Sequence, residues 1–409
     1  MRITVQKYGG TSLSTPELRN RVAEIIRSAR EQGSHVVVVV SAIGRLGEPY
    51  ATDTLLHLVK AVNPEPAVRE LDMIMSCGEI ISGVLLASHL SAQGLPARFF
   101  TGQQAGIVTD GQYGNGHILT IKTENIIGCL EQNIIPVVAG FQGLGHNGEI
   151  VTLGRGGSDT TASALAAALK AEVIDIFTDV EGVMTADPRI VTNARLLDSV
   201  TYNEVCQLAR EGAKVVHPRA VEIAMHCGIP LRIKSTLSDS MGTLITNNGY
   251  GISDQVNSIM ERTITGITYT SNIAQIKINI AALQDKKGVE LKIFKSMAQE
   301  NISVDFITLQ PDLLLFTVLA ETALRAQAIL NTMSLPAELV MNCAKVAVVG
   351  AAMTGIPGVM AQVMEALNEQ DIPILQCGDS YTNIWCLVDQ EHMQNAVKAL
   401  HDKFELGKK

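Results

Sequence analysis

Two glycine-rich segments contain residue types that could bind an anion and place a cation beside it. The first, residues 152–159, has the sequence Thr-Leu-Gly-Arg-Gly-Gly-Ser-Asp and precedes an alanine-rich stretch, residues 160–169, that predicts a helix. A glycine-rich turn at a helix N-terminus offers free backbone N–H groups and the positive end of the helix dipole. Arg155 adds a forked donor suited to a carboxylate or a phosphate. Asp159 adds a carboxylate that a purely phosphate-binding loop would not need, so the segment predicts a site that holds an anion and positions a cation.

The second segment, residues 7–12, has the sequence Lys-Tyr-Gly-Gly-Thr-Ser and follows a predicted opening strand, residues 2–6. A helix start follows it, because Ser14-Thr15-Pro16-Glu17 places proline in the first turn. Phosphate-binding loops commonly have this order of a strand, a lysine, a glycine pair and a helix. The order of lysine and glycine is, however, the reverse of that in the P-loop. A glycine pair after a strand could also be only a tight turn. Two such loops in one chain, each with a cation, favour anion binding.

Composition limits the class of protein. A chain of 409 residues predicts two or three domains. Its net charge of −9 without a basic cluster argues against nucleic-acid binding. The seven cysteines form no C-x-x-C pair, which is typical of reduced thiols in a cytosolic protein. The chain opens on a strand rather than a signal peptide, and its longest aliphatic run is too short to cross a bilayer. We therefore expect a cytoplasmic protein that binds neither membrane nor nucleic acid.

Strands and helices are predicted to alternate as far as residue 245. Unbroken apolar strands between helices indicate a parallel sheet covered on both faces. The further predicted strands are residues 36–41, 97–100, 135–139, 173–178 and 231–234, and the predicted helices are residues 16–32, 71–93, 123–132, 160–170, 202–210 and 218–227. Ligands of such sheets bind at the carboxyl ends of the strands, where Lys7, Ser41 and Thr178 lie.

The remainder of the chain contains an internal repeat. Residues 288–302 match residues 358–372 at a constant offset, and each copy predicts strand-helix-strand-strand-helix-strand, a ferredoxin-like unit. The expected organisation is an α/β domain in residues 1–245, a linker in 246–262, and two small modules in 263–335 and 336–409.

These motifs resemble those of the aspartate kinases of the amino-acid kinase family, which carry a C-terminal pair of ACT domains. The resemblance covers essentially the whole chain and is greatest for the Bacillus-type isozyme associated with diaminopimelate control. Its motifs are residues 7–12, 39–42, 76–79, 140–143, 154–159, 177–183, 187–189 and 212–215. The resemblance implies an α/β fold: a three-layer αβα amino-acid kinase domain with a mainly parallel central sheet, plus two ferredoxin-like ACT domains.

The implied reaction transfers a phosphoryl group from ATP to L-aspartate, giving ADP and 4-phospho-L-aspartate. This is the first step of the aspartate pathway to diaminopimelate, lysine, threonine and methionine. Cations and backbone N–H groups must neutralise two anions that approach each other, whereas no general base is needed for an ionised carboxylate. The implied cofactors are ATP and Mg²⁺. No dedicated carboxylate cage is evident, so the metal is expected to arrive with ATP.

The resemblance also implies roles for individual residues. Lys7 would contact the transferring phosphoryl group, with Gly9 and Gly10 cradling it, and Asp159 would orient Lys7. Arg155 would clamp the α-carboxylate of aspartate as a bidentate pair. The α-ammonium would be received by Glu79. Substrate hydroxyl contacts would come from Ser41, Thr52 and Ser158. The nucleotide site would be lined by Thr178, Asp179, Asp187, Arg189 and Lys214.

Several of these residues also have a purely structural interpretation. Glu79 could be a solvated helix residue and Lys214 a surface lysine. The segment from Asp187 to Arg189 could be a turn in which the aspartate accepts backbone N–H groups. His217, next to a proline, is interpreted as a helix-start residue rather than a catalyst.

Regulation is implied by the ACT pair. Asp285, Gly288 and Gln310 match residues that bind amino-acid effectors in lysine- or threonine-sensitive relatives. Residues 377–380, Cys-Gly-Asp-Ser, depart from the family pattern, and a changed pocket implies a changed effector. The hypothesis is feedback inhibition with diaminopimelate favoured over lysine or threonine, in a homodimer or higher homo-oligomer.

Two alternatives remain at this point. One is a kinase of the same fold acting on another amino acid. The other is a catalytically silent ACT amino-acid sensor, against which the intact Lys7, Arg155 and Asp159 argue.

Overall fold

The computed structural model describes residues 1–213, 215–247, 263–281, 288–351, 353 and 356–408. These residues form two compact units, each with its own sheets and core. The first comprises the described parts of Met1–Val183, Leu196–Ala209 and Lys214–Ser258, and the second those of Met184–Arg195, Arg210–Ala213 and Ile259–Lys409.

The first unit alternates strands and helices, as the sequence predicts. In chain order its elements are β1 Ile3–Tyr8, α1 Pro16–Glu31, β2 His35–Val40, α2 Thr52–Val62, α3 Val68–Ala92, β3 Ala97–Phe100, β4 Ile107–Thr109, β5 Ile118–Ile121, α4 Glu124–Glu131, β6 Ile135–Ala139, β7 Gln142–Leu144, β8 Ile150–Thr152, α5 Gly157–Leu169, β9 Val173–Thr178, β10 Ser199–Thr201, α6 Tyr202–Arg210, α7 Pro218–Cys227, β11 Leu231–Ser235 and β12 Thr243–Thr246. A short 3-10 helix, Gly10–Leu13, follows β1.

The main sheet has eight strands in the order β10-β12-β11-β9-β1-β2-β6-β3. From β11 to β3 all neighbours are parallel, whereas β12 is antiparallel to β11. Side chains of α1 and α3 form one buried cluster with alternate residues of β2, such as Val36 and Val38. Helix α5 contacts β1, β2 and β9 and lies on the face to which Lys7 points, opposite to Tyr8. The three-layer α/β fold is confirmed.

Local signals explain why the helices begin where they do. Helix α1 has Pro16 in its first turn, and the Thr15 hydroxyl caps it by accepting the Leu18 N–H at 3.3 Å. The sequence interpretation did not include α2 or a second, four-stranded sheet of order β5-β4-β7-β8. Its strands have only three or four residues each, which is too short for a period-two pattern to be recognised.

Helix α3 is the one helix in the described part of the chain that is long and apolar enough to cross a membrane. An 18-residue window has a mean hydropathy of 1.5 and is 44% buried. The helix packs against β3, β6 and β8 of the first unit and buries two carboxylates, Asp72 and Glu79. These contacts are those of a core helix, and both carboxylates matter for the site described below.

The second unit is an antiparallel sheet covered by helices. Its elements are β13 Gly266–Asn279, α8 Val289–Gln299, β14 Asp305–Leu309, β15 Leu313–Leu319, α9 Ala320–Thr332, β16 Ala337–Val349, α10 Val359–Asn368, β17 Gln376–Asp379, β18 Asn383–Asp389 and α11 Met393–Lys403. The predicted repeat forms α8 and α10, and each follows a glycine with positive φ, Gly288 and Gly358. The sheet order is β14-β15-β13-β16-β18-β17.

The two ferredoxin-like modules share their central strands. Strand β13 pairs with β16 along nearly its whole length, from Gly266 opposite Val349 to Ile278 opposite Ala337. One core contains Ile276 and Phe316, and the other contains Val346 and Val363. Six strands therefore form one continuous sheet over two hydrophobic cores.

Two short segments within the first 213 residues belong to the second unit. The Lys345 ammonium lies 2.9 Å from the Glu211 carboxylate and 2.7 Å from that of Asp305. The Thr185 hydroxyl lies 3.0 Å from Nε2 of the buried His401. Residues 184–195 and 210–213 are thus fixed to the second unit by polar contacts of buried side chains.

Candidate active site

An open cavity of about 500 Å³ lies in the first unit at the carboxyl ends of β1 and β2. Parallel strands gather ligand-binding residues at this edge. Seven predicted site residues line it: Lys7, Ser41, Thr52, Glu79, Arg155, Ser158 and Asp159. The fold therefore brings together residues that are up to 152 positions apart, from Lys7 to Asp159.

A lysine–carboxylate pair forms part of the cavity wall. The Lys7 ammonium, on β1, lies 2.8 Å from Oδ1 of Asp159 in the first turn of α5, and the side chains are only 12% and 13% exposed. Oδ2 of Asp159 accepts the His217 backbone N–H at 3.3 Å. Asp159 is held from two sides and fixes the position of the Lys7 ammonium beside the cavity.

Two glycines are required by close contacts in the loops. A Cβ on Gly10 would lie 2.0 Å from the Ala42 carbonyl oxygen, so only glycine lets the loop after β1 approach that after β2. Gly156, the residue before α5, has a φ of +67°, and a Cβ there would lie 2.1 Å from the His217 ring. The next helix residues, Gly157 and Ser158, line the cavity at the N-terminus of α5. This end of α5 provides the positive helix terminus that the sequence predicts.

Arg155 is an exposed cation at the cavity. It precedes Gly156 in the loop before α5. Among the described residues its guanidinium makes no ion pair. A guanidinium that is not neutralised by a neighbouring carboxylate is available for a bidentate contact with an anionic ligand.

Glu79 lies inside the protein rather than on a solvated helix face. The side chain is 2% exposed, and its Oε1 accepts the Ala42 backbone N–H at 3.0 Å. Burial raises the pKa of Glu79 to about 8, and the Ala42 hydrogen bond opposes that shift only in part. Oε2 is buried and has no hydrogen-bond partner among the described residues. A buried carboxylate with a free oxygen at a cavity wall is suited to receive a cation.

The remaining cavity hydroxyls come from three different elements. Ser41 follows β2, and its N–H donates to the Tyr8 carbonyl oxygen at 3.1 Å. Thr52 is the first residue of α2, and Ser158 is a buried residue of α5. Asp53 also lines the cavity and was not identified from the sequence.

Three predicted nucleotide or phosphate residues, Gly9, Thr178 and Asp179, lie at or just after the carboxyl ends of β1 and β9. The Gly9 N–H donates to the Phe177 carbonyl oxygen at 3.1 Å. Thr178 ends β9, the strand next to β1. Its hydroxyl donates to the Asp179 carboxylate, which also accepts a 2.7 Å bond from exposed Arg45. None of the three lines the cavity.

The other predicted nucleotide residues are not in the first unit's cavity. Asp187 accepts the Arg189 backbone N–H at 2.9 Å and pairs with the Arg189 guanidinium at 2.7 Å, so the segment forms the Asp-capped turn that was one interpretation of its sequence. Its carboxylate also accepts the Tyr269 hydroxyl at 3.2 Å, within the second unit. The Arg189 guanidinium lowers the pKa of Asp187. Lys214 lies outside the described residues.

The predicted effector residues are only partly described. Gly288 precedes α8, and Gln310 occupies the turn between β14 and β15, where its N–H donates to the Leu313 carbonyl oxygen at 2.9 Å. Asp285 lies outside the described residues.

Sequence reasoning missed the residues that support the cavity wall from behind. Asp72 is fully buried and accepts the N–H groups of Gly114 and Thr152 at 2.9 Å and the Thr152 hydroxyl at 2.7 Å. Arg219 donates to the carbonyl oxygens of Leu153 and Gly116 at 3.2 and 3.1 Å. The local sequence does not identify these contacts, because each hydrogen-bond partner is at least 42 residues away in the chain from Asp72 or Arg219.

Replacing Asp72 with alanine should lower the free energy of unfolding by about 3–5 kcal/mol, because three donors, two of them on buried Thr152, lose their acceptor. Urea unfolding followed by circular dichroism measures the change. Glu131→Gln, at an exposed position on α4, is the matched control and should change stability by less than about 0.5 kcal/mol. An unchanged midpoint for Asp72→Ala would contradict the assigned supporting role.

Comparisons with known proteins find relatives over the whole chain. The profile of the amino acid kinase family matches residues 2–235, and that of an ACT domain matches residues 338–402. Aspartokinase 1 of Bacillus subtilis is 48% identical over all of both chains, and the aspartokinase of Thermus thermophilus is 38% identical over all of both chains.

Solved structures with a similar fold are also found. The structure of E. coli aspartokinase III in complex with aspartate and ADP has a TM-score of 0.80 at 26% identity, covering 98% of this chain and 99% of that one. The complex of the same protein with lysine and aspartate has a TM-score of 0.74 at 25% identity, with the same coverage.

Proposed function

Because this chain belongs to the aspartokinases of the amino acid kinase family, we propose that the first-unit cavity is where L-aspartate receives the γ-phosphoryl group of ATP. The enzyme is an ATP-dependent phosphotransferase with ACT regulatory domains. The observation that carries the site proposal is the Lys7–Asp159 pair at 2.8 Å, in one cavity with Arg155 and Glu79.

Phosphoryl transfer requires charge neutralisation more than acid–base catalysis. A β-carboxylate oxygen of aspartate attacks the γ-phosphorus, a P–O bond forms, and the bond to the β–γ bridging oxygen breaks to release ADP. Lys7, held by Asp159, stabilises the negative charge on the transferring group. The backbone N–H groups of Gly10 and of the first turn of α5 add fixed positive dipoles.

Recognition of a free α-amino acid needs a partner for each of its charges. Arg155 binds the α-carboxylate through its exposed guanidinium, and Glu79 binds the α-ammonium through its unpartnered Oε2. Ser41, Thr52 and Ser158 contribute polar contacts around the substrate. This set distinguishes aspartate from N-acylated amino acids, which lack the ammonium group.

In the first unit, the nucleotide site is assigned to Gly9, Thr178 and Asp179 beside Lys7 and Gly10. The nucleotide roles that the resemblance implies for Asp187, Arg189 and Lys214 stay predictions. Within the described residues, no group of three His, Cys, Asp or Glu side chains could hold a metal ion. We propose that Mg²⁺ arrives with ATP and would reduce the charge of its phosphates.

The function is tested by ADP release with Mg-ATP and L-aspartate, L-glutamate or N-acetyl-L-glutamate, with hydroxylamine trapping the acyl phosphate. Aspartate-dependent hydroxamate is expected. If another substrate is turned over, the assignment of the phosphate site still holds, but the proposed roles of Glu79 and Arg155 are wrong. Absence of all turnover would favour the amino-acid sensor.

The pH dependence of aspartate use should report on Glu79. Only the carboxylate form pairs with an ammonium, and burial places the pKa of Glu79 at about 8. As the pH falls below that value, kcat/KM for aspartate should therefore decrease by about tenfold per pH unit. Steady-state rates between pH 6 and 9 measure the slope.

Glu79→Gln separates this effect from other titrations. The variant should lower kcat/KM for aspartate by about 10–100-fold at high pH and flatten the slope. Succinate, which lacks the ammonium group, serves as the control substrate and should be affected little. An unchanged slope in Glu79→Gln would remove Glu79 from the ammonium site.

Feedback regulation is proposed to act through Asp285, Gly288 and Gln310, with diaminopimelate as the favoured effector. Inhibition assays with diaminopimelate, lysine and threonine at millimolar concentration test this, and diaminopimelate should be the strongest inhibitor. No change in rate with any of the three would refute the proposal.

The remaining assignments rest on the family and on the order of elements. We propose a kinase domain in residues 1–245, a linker in 246–262, and ACT domains in 263–335 and 336–409. A cytoplasmic homodimer or higher homo-oligomer is proposed, and light scattering measures its mass.

A further inference from the structure

Two cysteines face each other across the edge of the second unit's sheet. Strand β17 is the edge strand, and its Cys377 is paired in register with Cys386 of β18. Residues directly opposite each other on antiparallel strands place their side chains on the same face of the sheet. Both thiols are free. The phosphoryl-transfer chemistry uses neither cysteine.

The hydrogen-bond pattern brings this pair close enough for a covalent bond. Ser380 and Asn383, which close the β17–β18 turn, are a hydrogen-bonded pair, since the Ser380 N–H donates to the Asn383 carbonyl oxygen at 2.8 Å. Hydrogen-bonded and non-hydrogen-bonded pairs alternate along the ladder, so Cys377 and Cys386 are a non-hydrogen-bonded pair. Such pairs have Cα atoms about 4.5 Å apart, within the range of about 4.4–6.8 Å for disulfides.

The two thiols differ in access to solvent. Cys377 is exposed, whereas Cys386 is 1% exposed among the core residues of the second module. Burial, and in smaller part the neighbouring Cys377, raises the pKa of the Cys386 thiol to about 12. An oxidant from solvent therefore meets Cys377 first, and Cys386 can act only as the resolving thiol.

We propose that Cys377 and Cys386 form an intramolecular disulfide when a hydroperoxide oxidises the protein. The Cys377 thiolate attacks the peroxide, the O–O bond breaks, and the thiolate becomes a sulfenic acid as an alcohol or water leaves. The Cys386 sulfur then attacks the sulfenic sulfur, the S–O bond breaks, and water leaves with the thiol proton. Two thiols and one hydroperoxide thus give one disulfide, one alcohol or water, and one further water.

The disulfide would restrain the edge strand β17, which also contacts the other module. Gln376, adjacent to Cys377, donates to the Phe306 carbonyl oxygen at 2.6 Å and to the Thr308 hydroxyl at 2.8 Å, both on β14. Strand β14 is the opposite edge of the same six-stranded sheet. A disulfide therefore restrains the strand that joins the two edges, and slower amide hydrogen exchange over residues 376–379 is expected.

The test treats the full-length protein with hydrogen peroxide, alkylates the remaining thiols and digests the protein without reduction. Chymotrypsin cleaves after Tyr381, between the two cysteines, so mass spectrometry separates linked from unlinked peptides. A Cys377–Cys386 peptide pair is expected, with loss of two of the seven thiols per chain.

Three variants make the result specific. Cys377→Ser and Cys386→Ala should each abolish the linked peptide, and Cys227→Ser, at an exposed lone cysteine, should leave it unchanged. Cys377→Ser alters an exposed position, so it decides the result even if Cys386→Ala folds poorly. Recovery of Cys377 as a sulfinic acid with Cys386 still alkylatable, or linkage of Cys377 to a second chain, would overturn the proposal.

Discussion

Replacing Lys7 with methionine should lower kcat by roughly 10³-fold while KM for aspartate changes little. The reason is that the ammonium acts on charge that develops in the transition state, in a site where its side chain is 12% exposed and water screens it weakly. Removal of one such donor from a preorganised site has costs of this order in other enzymes. Initial rates of ADP release at saturating Mg-ATP and aspartate measure the effect.

Two further variants separate catalysis from folding. Lys60→Met, on the exposed side of α2, is the matched control and should retain full activity. Asp159→Asn keeps the shape of the Lys7 partner but removes its charge, and should reduce kcat by a smaller factor. Circular dichroism shows whether each variant is folded. A folded Lys7→Met enzyme with kcat within about threefold of wild type would exclude Lys7 from phosphoryl transfer.

Replacing Arg155 with alanine should raise KM for aspartate by about 10²-fold and leave KM for ATP nearly unchanged. A bidentate guanidinium–carboxylate contact is a strong charge-assisted interaction, and about 2.8 kcal/mol corresponds to a hundredfold change in binding. Arg155→Lys should lie between wild type and alanine, because an ammonium keeps the charge but not the fork. Steady-state kinetics with each substrate varied in turn measure both constants.

A substrate analogue tests which carboxylate Arg155 binds. β-Alanine lacks the α-carboxylate of aspartate, so the wild-type preference for aspartate over β-alanine should largely disappear in Arg155→Ala. Arg27→Ala, at a partly buried position on α1 outside the cavity, is the control and should preserve that preference. If Arg155→Ala kept the full preference, the α-carboxylate would be bound elsewhere.

The sequence was sufficient to identify the chemical groups of the candidate site. Lys7 lies two residues before the glycine pair that follows the first predicted strand, and Arg155 lies between two glycines before a predicted helix. Such positions are set by local backbone preferences. The parallel sheet was also predictable, because a strand that is buried on both faces must be apolar along its whole length. The repeat in the second half gave α8 and α10 because each copy contains its own amphipathic helix.

Contacts between distant parts of the chain required the tertiary structure. The pKa of Glu79 is raised because α3 is buried against the sheet, and no neighbour in sequence reveals that burial. The buried support from Asp72 and Arg219 depends on backbone groups brought in from other elements. The sharing of β13 and β16 by both modules is set by strand pairing, not by the composition of either copy.

What the sequence by itself determined is therefore the type of most functional groups in the cavity and, for Lys7, Glu79, Arg155 and Asp159, the element on or beside which each lies. Helix caps, glycine turns and hydrophobic periodicity depend on residues that are close in sequence, so they can be recognised from the sequence alone. Only the tertiary structure decided which groups meet: Lys7 with Asp159, Glu79 with the Ala42 N–H, and Cys377 with Cys386. Burial and strand register arise from packing of the whole unit. They determine the pKa values, the hydrogen-bond partners and whether the two thiols are close enough to form a disulfide.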